Sequence, residues 1–147
     1  DWTFVLLGSA HRDQTALELA REPNVRFLGT LRYEEAQAVI RHFDVALIPH
    51  LDNDMTRSMN PLKAFVYCSL GVPIVSTPVA NLDELAEHIT VAEGPDGFLA
   101  AIEHALARGR RDPDPEALRP HSWDRRVEQV LGLIDGVASQ RPGPDGG

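Results

Sequence analysis

The sequence contains a single cysteine, Cys68, among 147 residues. One cysteine excludes an internal disulfide and favours a reducing compartment. No apolar run approaches the roughly 18 residues that a membrane-spanning helix needs. Asp1 and Trp2 open the sequence without the basic segment that begins a signal peptide. These absences together predict a cytoplasmic protein.

Positive charge is also scarce, because 14 lysines and arginines face 22 aspartates and glutamates, for a net charge of -8. An acidic chain is repelled by nucleic acids and by anionic membrane surfaces, so we expect neither as a partner. The six histidines show no paired spacing typical of metal ligands, and the polar run from Asp52 to Asp54 is interpreted as a loop. We expect no metal and no other cofactor.

Short apolar runs alternate with segments of helical periodicity along most of the chain. The runs are apolar on both faces, which is typical of a parallel sheet buried between two helix layers. We therefore predict an α/β fold with a doubly wound, Rossmann-like sheet as one domain over residues 1–139, and a disordered tail over residues 140–147. The predicted strands are Trp2 to Leu7, Val25 to Leu28, Asp44 to Pro49, Pro73 to Ser76 and Ile89 to Ala92. The predicted helices are Asp13 to Arg21, Tyr33 to Phe43, Pro61 to Leu70, Asn81 to His88, Asp96 to Ala107 and Trp123 to Ala138.

Lys63 follows the start of one predicted helix, where a cation is unfavourable by roughly 0.3–1 kcal/mol. Asn60 is expected to cap this helix and Pro61 to occupy its first position. An anion such as a phosphate or diphosphate would reverse the sign, because the helix N–H groups, Lys63 and Arg57 would all point at it. The alternative is that Lys63 extends into water or pairs with a neighbouring aspartate.

The stretch TRSMNPLKAFVYCSLGVPIVST, from Thr56 to Thr77, resembles the donor-side motif of group 1 glycosyltransferases with the GT-B architecture. The stretches DWTFVLLGS, NVRFLGTLRYEEAQAVIRHFDVALIPH and SWDRRVEQVLGLI follow the order and spacing of that family. The resemblance covers Trp2 to about Ile134. It implies the C-terminal, donor-binding half of an enzyme that transfers a sugar from a UDP- or GDP-linked donor to an acceptor.

The same resemblance assigns approximate roles along the donor. It implies that the start of the Lys63 helix holds the diphosphate, that the loop from Gly29 to Tyr33 lies near the base, and that the loop from His50 to Met59 lies near the sugar. Ser76 to Pro78 should line the same cleft. The resulting candidate donor-binding residues are Leu31, Tyr33, His50, Arg57, Ser58, Met59, Asn60, Pro61, Lys63, Val66 and Thr77.

Two departures from the family pattern are visible. The glutamates that the family motif carries, one of which holds the ribose hydroxyls, correspond here to Val66 and Ser58. The pattern also begins one strand and one helix late, and it lacks the N-terminal acceptor domain that usually supplies the catalytic base. We therefore expect a fragment or one part of a larger polypeptide. Its sheet would be split into two halves with exposed edges, which allows self-association.

Two other functions remain open from the sequence. Val66 is compatible with a degenerate, non-catalytic domain that binds partners but no nucleotide. A sugar-nucleotide epimerase shares the architecture and would need acid and base residues from a missing half.

Trp123 is expected to anchor the last helix and Cys68 to lie in the core.

Overall fold

The computed structural model describes residues 2–10, 14–51, 53–113, 116 and 118–139 of the chain, and the predicted tail over 140–147 lies outside them. Five parallel strands alternate with helices, as the apolar runs predict. The strands are β1 (Phe4–Leu6), β2 (Val25–Phe27), β3 (Ala46–Ile48), β4 (Ile74–Ser76) and β5 (Ile89–Val91). The helices are α1 (Gln14–Leu19), α2 (Tyr33–Ile40), α3 (Asp54–Arg57), α4 (Leu62–Ser69), α5 (Gly94–Arg108) and α6 (Trp123–Ser139), and 3-10 turns cover Asp83–Leu85 and Arg119–His121.

The described strands form two separate sheets, with β1 beside β2 in one and the order β3-β4-β5 in the other. In a parallel pair, alternate residues of a strand bond to the neighbour. Phe4 and Leu6 bond toward β2, and Ala46 and Ile48 bond toward β4. The backbone groups of the intervening residues therefore face the opposite edges of β1 and β3. This interruption agrees with the predicted separation of the first two strands from the other three.

The core lies on both faces of the three-stranded sheet. Ile48 and Ile74 are fully buried on one face. They belong to a cluster that also contains Ala64 and Cys68 of helix α4. Val75, from the opposite face of β4, packs with Ala101, Ile102 and Ala105 of α5 in a second cluster. Alternate side chains of a strand point to opposite faces, so a sheet covered by helices on both sides needs apolar residues at every position. The layered α/β arrangement predicted from the sequence is thereby confirmed.

The residues that flank β1 pack against both clusters, and no backbone bond joins β1 to β3 among the described residues. Leu7 contacts the cluster that contains Ile48, and Trp2 contacts the cluster that contains Val75. Within the part of the chain that the structure describes, no backbone hydrogen bond joins the two sheets, so side-chain packing holds them together.

The helix predicted from Asn81 to His88 is wrong. Only the 3-10 turn Asp83–Leu85 forms, and Asn81 adopts a left-handed φ of 58° that no helix N-cap has. The Asn81 amide donates instead to the carbonyl oxygen of Met59 at 3.1 Å. A contact with a distant loop has replaced the capping interaction that the local sequence favours.

The segment after α5 returns beneath the ends of α2 and α4. The Arg110 guanidinium donates to the carbonyl oxygens of Arg41, of Phe43 at 3.1 Å and of Leu70 at 3.0 Å. The backbone N–H of Arg111 donates to the Gly71 carbonyl oxygen at 3.1 Å. Arg110 thus satisfies carbonyl groups that helix ends leave without partners.

α6 is the least buried helix of the described chain. Five apolar residues, spaced alternately four and three apart, lie on one side of this helix. Each is more than half exposed, from 53% for Val127 to 79% for Trp123. We call this set, Trp123, Val127, Val130, Ile134 and Val137, the α6 stripe. The prediction that Trp123 anchors the last helix is therefore wrong. No helix within the described ranges is both long enough and apolar enough to cross a membrane.

Candidate functional site

The start of α4 differs from the predicted cap. The helix begins at Leu62, and Pro61, with ψ of 80°, is the residue before it, so Asn60 is not the cap and Pro61 is not the first helical residue. The Leu62 N–H donates to the Asn60 carbonyl oxygen at 2.9 Å, and the Ala64 N–H donates to the Pro61 carbonyl oxygen at 2.8 Å. This tight turn occupies two N–H groups that were expected to face an anion. Lys63, now the second helical residue, is left as the main positive group.

The loops after β3 and β4 are joined to each other by hydrogen bonds. The Thr77 hydroxyl donates to the His50 carbonyl oxygen at 2.6 Å, and the buried Thr56 hydroxyl donates to the Leu51 carbonyl oxygen at 2.6 Å. Asn53 caps the short helix α3 through its side chain, which accepts from the Thr56 N–H at 3.0 Å. The polar run around Asn53 therefore starts a helix, and Asp52 lies outside the described residues. The result is one connected surface at the carboxyl ends of both strands.

The charge of Lys63 acts on His50 at this edge of the sheet. Burial lowers the pKa of His50, and the positive charge of Lys63 lowers it further. The Lys63 side chain is exposed overall, yet nearby groups displace enough water from it to lower its pKa as well. Both shifts disfavour the charged forms, and an anion placed beside them would act in the opposite direction.

A groove of about 1670 Å³ runs between α2, α4 and the start of α6. Four of the predicted site residues line it: Tyr33, Asn60, Lys63 and Val66. Tyr33 is 62% exposed, and its hydroxyl accepts a hydrogen bond from the Gln37 amide at 3.1 Å. The groove is larger than the ~300–1,000 Å³ of ordinary ligand pockets, and it is open on one side. Its size suits an extended ligand with separate polar parts.

Comparison with known families decides the relationship. The model of the family described as group 1 glycosyl transferases matches residues 1–108. The chain belongs to this family. Its membership confirms the resemblance predicted from the motif around Lys63.

One curated relative of this glycosyltransferase chain is a Bacillus subtilis (strain 168) protein named as a teichuronic acid biosynthesis glycosyltransferase, TuaH. The two are 24% identical over 141 residues, which cover 89% of this chain and 36% of the relative. The chain thus spans about a third of that relative's length. No solved structure matches the chain at a significant level.

Val66 is the residue that the family resemblance aligns with a glutamate of the motif. Its side chain is half-buried, packs against the core cluster that contains Ile48, and also lines the groove. Valine has no hydrogen-bonding atom in its side chain, so this position makes no polar contact with a ligand. The position therefore lies between core and groove.

The other predicted site residues do not line the groove. Arg57 and Ser58 are exposed at the end of α3, and Pro61 is buried under the start of α4. Leu31 is half-buried ahead of α2, and Met59 accepts the bond from Asn81. His50 and Thr77 form the neighbouring surface at the strand ends, which the field of Lys63 reaches.

Sequence reasoning missed the contribution of the segment before α6 and of the first turn of α6. Arg119 and His121 from that segment line the groove together with Trp123 and Arg126 of α6. Their basic and aromatic character is a recognisable signal, but only the fold places them beside α2 and α4.

Cys68 is buried in the core as predicted, and burial raises the pKa of its thiol to about 11. Among the described residues, no three His, Cys, Asp or Glu side chains lie together as a metal site would require.

Proposed function

We propose that the chain binds the nucleoside diphosphate of a UDP- or GDP-linked sugar and that Lys63 contacts the diphosphate. The observation that carries this proposal is the position of Lys63, which borders both the groove and the His50 surface at the strand ends. Ligands of parallel α/β sheets bind outside the carboxyl ends of the strands. A diphosphate there would offset the unfavourable surroundings of the Lys63 ammonium.

The family resemblance suggests how the rest of the donor is arranged. The base would lie toward Leu31 and Tyr33, at the start of α2, and the sugar toward His50 and Thr77. During transfer, negative charge develops on the departing diphosphate, and the Lys63 ammonium would stabilise it. No step of this proposal requires a metal or another cofactor.

Transfer itself would require more of the polypeptide than this chain contains. We propose that another domain holds the acceptor and supplies the catalytic base. This agrees with the much greater length of the curated relative. The chain alone is expected to bind donor and to transfer no sugar. The single cysteine supports a cytoplasmic setting for the reaction.

Titration of the chain with UDP, GDP and their sugars, followed by calorimetry, tests the proposal. Lys63→Ala should weaken the binding of the preferred nucleotide by about ten- to a hundredfold, because a charged hydrogen bond contributes about 1.5–3 kcal/mol. Thermal unfolding should stay close to that of the unmodified protein, since the Lys63 side chain is exposed.

Arg21→Ala is the matched control. Arg21 is an exposed cation just after α1, outside the groove, and its loss should leave affinity unchanged. If no nucleoside diphosphate binds, or if both variants weaken binding equally, the diphosphate site is not at Lys63.

A second candidate function is a domain that binds a macromolecular partner and no nucleotide. The apolar side chain at position 66 favours it, because this position lacks the carboxylate that would hold the ribose. The same titration separates the two functions, since this second candidate predicts no binding of any nucleotide.

A further inference from the structure

His50 is fixed at the carboxyl end of β3 by its backbone. Its N–H donates to the Ile48 carbonyl oxygen at 3.1 Å, and its carbonyl oxygen accepts from the Thr77 hydroxyl at 2.6 Å. The Thr77 hydroxyl also lies 3.3 Å from the Ile48 carbonyl oxygen. Contacts with the ends of two strands therefore fix the backbone position of His50.

The two ring nitrogens of His50 are in different surroundings. Nε2 is buried and has no hydrogen-bond partner among the described residues, although the histidine as a whole is only half-buried. A buried N–H without an acceptor is unfavourable, and native structures tolerate an unpaired acceptor more readily than an unpaired N–H. The neutral ring therefore favours the tautomer with its proton on Nδ1.

The surroundings also keep the ring neutral. A protonated imidazole would place a second N–H on the buried Nε2, and it would face the positive charge of Lys63 on α4. Among the described residues, Lys63 is the charged group whose field acts on the imidazole. The Thr77 hydroxyl is already engaged with backbone carbonyl groups.

We propose that His50 is a fixed, neutral hydrogen-bond donor whose Nδ1–H binds an oxygen atom at the sugar–diphosphate end of the donor. This inference rests on the proposed function and adds the tautomer and the role of the residue. A general base must present an unprotonated nitrogen to its substrate. The unprotonated Nε2 is shielded, so His50 positions the donor and leaves proton transfer to other groups.

The tautomer is measured first, on the unmodified protein. Two-bond proton–nitrogen NMR spectra of the 15N-labelled chain at pH 7 distinguish the two tautomers, and His50→Asn identifies the signals of His50. The expected pattern is a protonated Nδ1 and an unprotonated Nε2. A proton on Nε2, or a doubly protonated ring at pH 7, would overturn the inference.

Binding of the UDP- and GDP-linked sugars to three variants then tests the role of the Nδ1–H. The amide nitrogen of asparagine superimposes on Nδ1, and that of glutamine superimposes on Nε2. His50→Asn should therefore keep affinity for the sugar nucleotide within about threefold, while His50→Gln and His50→Ala should lose about tenfold. Unfolding curves of all three variants show whether each one folds.

The outcomes separate this inference from the proposed function. Equal affinity of the asparagine and glutamine variants would contradict donation from Nδ1 while leaving the diphosphate site intact. A complete absence of nucleotide binding by the unmodified chain would overturn both, whichever tautomer is found.

Discussion

Lys63 is the only lysine of the chain, since all thirteen other basic residues of the 14 are arginines. An ammonium on a flexible stem acts as a point charge whose pKa responds to its surroundings, whereas a guanidinium stays charged. The lowered pKa of Lys63 shows that its surroundings already act on it. Amine-selective labelling can therefore report on this one side chain, apart from the N-terminus, when a ligand is added.

Val66 is the residue at which a single substitution should restore a lost contact. We expect Val66→Glu to tighten binding of a nucleoside diphosphate by about tenfold, because a carboxylate lining the groove could accept from the ribose hydroxyls. Calorimetry with UDP and GDP measures the change. Val66→Gln, which also accepts a hydrogen bond but carries no charge, is the control for size.

The partial burial of Val66 supplies the opposing outcome. If the glutamate side chain is forced into the core, the uncompensated charge should cost several kcal/mol, and the domain should unfold at neutral pH. Unfolding would contradict a ribose site at this position.

At the scale of elements, the junction between α4 and β4 depends on Gly71. Its φ is +68°, and a Cβ added there would lie 2.2 Å from the carbonyl oxygen of Arg111. Gly29 has nearly the same φ, +69°, but a Cβ there would meet nothing within 4 Å. The two glycines therefore share a backbone requirement and differ in the space around them.

Alanine substitution at both glycines separates these effects. Gly29→Ala should lower the free energy of unfolding by about 1–2 kcal/mol through the left-handed backbone alone. Gly71→Ala should cost about 1–3 kcal/mol more, because a backbone atom must move to admit the methyl group. Urea denaturation measures both, and equal losses would show that the Arg111 segment moves aside freely.

All five strands could be predicted from the sequence, because short apolar runs between turn residues have few alternatives in a layered α/β fold. The errors fall where tertiary contacts outweigh local preference. Asn60 and Asn81 both have good capping chemistry, yet a tight turn at Pro61 and the bond from Asn81 to Met59 take precedence. Lys63 and Val66, which line the groove, were predicted as site residues from the glycosyltransferase motif. The basic residues before α6 were not, because no local pattern brings Arg119 to the groove.

At the scale of the whole molecule, two surfaces of the described chain lack partners. The edges of β1 and β3 present unpaired backbone groups, and the α6 stripe presents large apolar side chains to solvent. Exposed strand edges and apolar patches both promote association. We therefore propose α6 as a second surface for the self-association predicted from the split sheet.

A charge on the α6 stripe should reduce association without affecting the fold. Val130 is 54% exposed, so Val130→Lys should change the free energy of unfolding by no more than about 0.5 kcal/mol while increasing the monomer fraction. Light scattering over a range of protein concentrations measures this. Gln129→Lys adds the same charge to an exposed residue outside the stripe and should have the smaller effect. Equal effects would point to net charge as the cause.

The Arg110 contacts limit how far this domain can be shortened at its C-terminal end. The family match ends at residue 108, two positions before the guanidinium that binds the ends of α2 and α4. A fragment trimmed to the matched region would keep every strand and α5, yet it would expose the carbonyl groups that Arg110 covers and remove the backbone that Gly71 contacts. We therefore expect the stable unit to be longer than the region that the family model matches, with its boundary beyond Arg111.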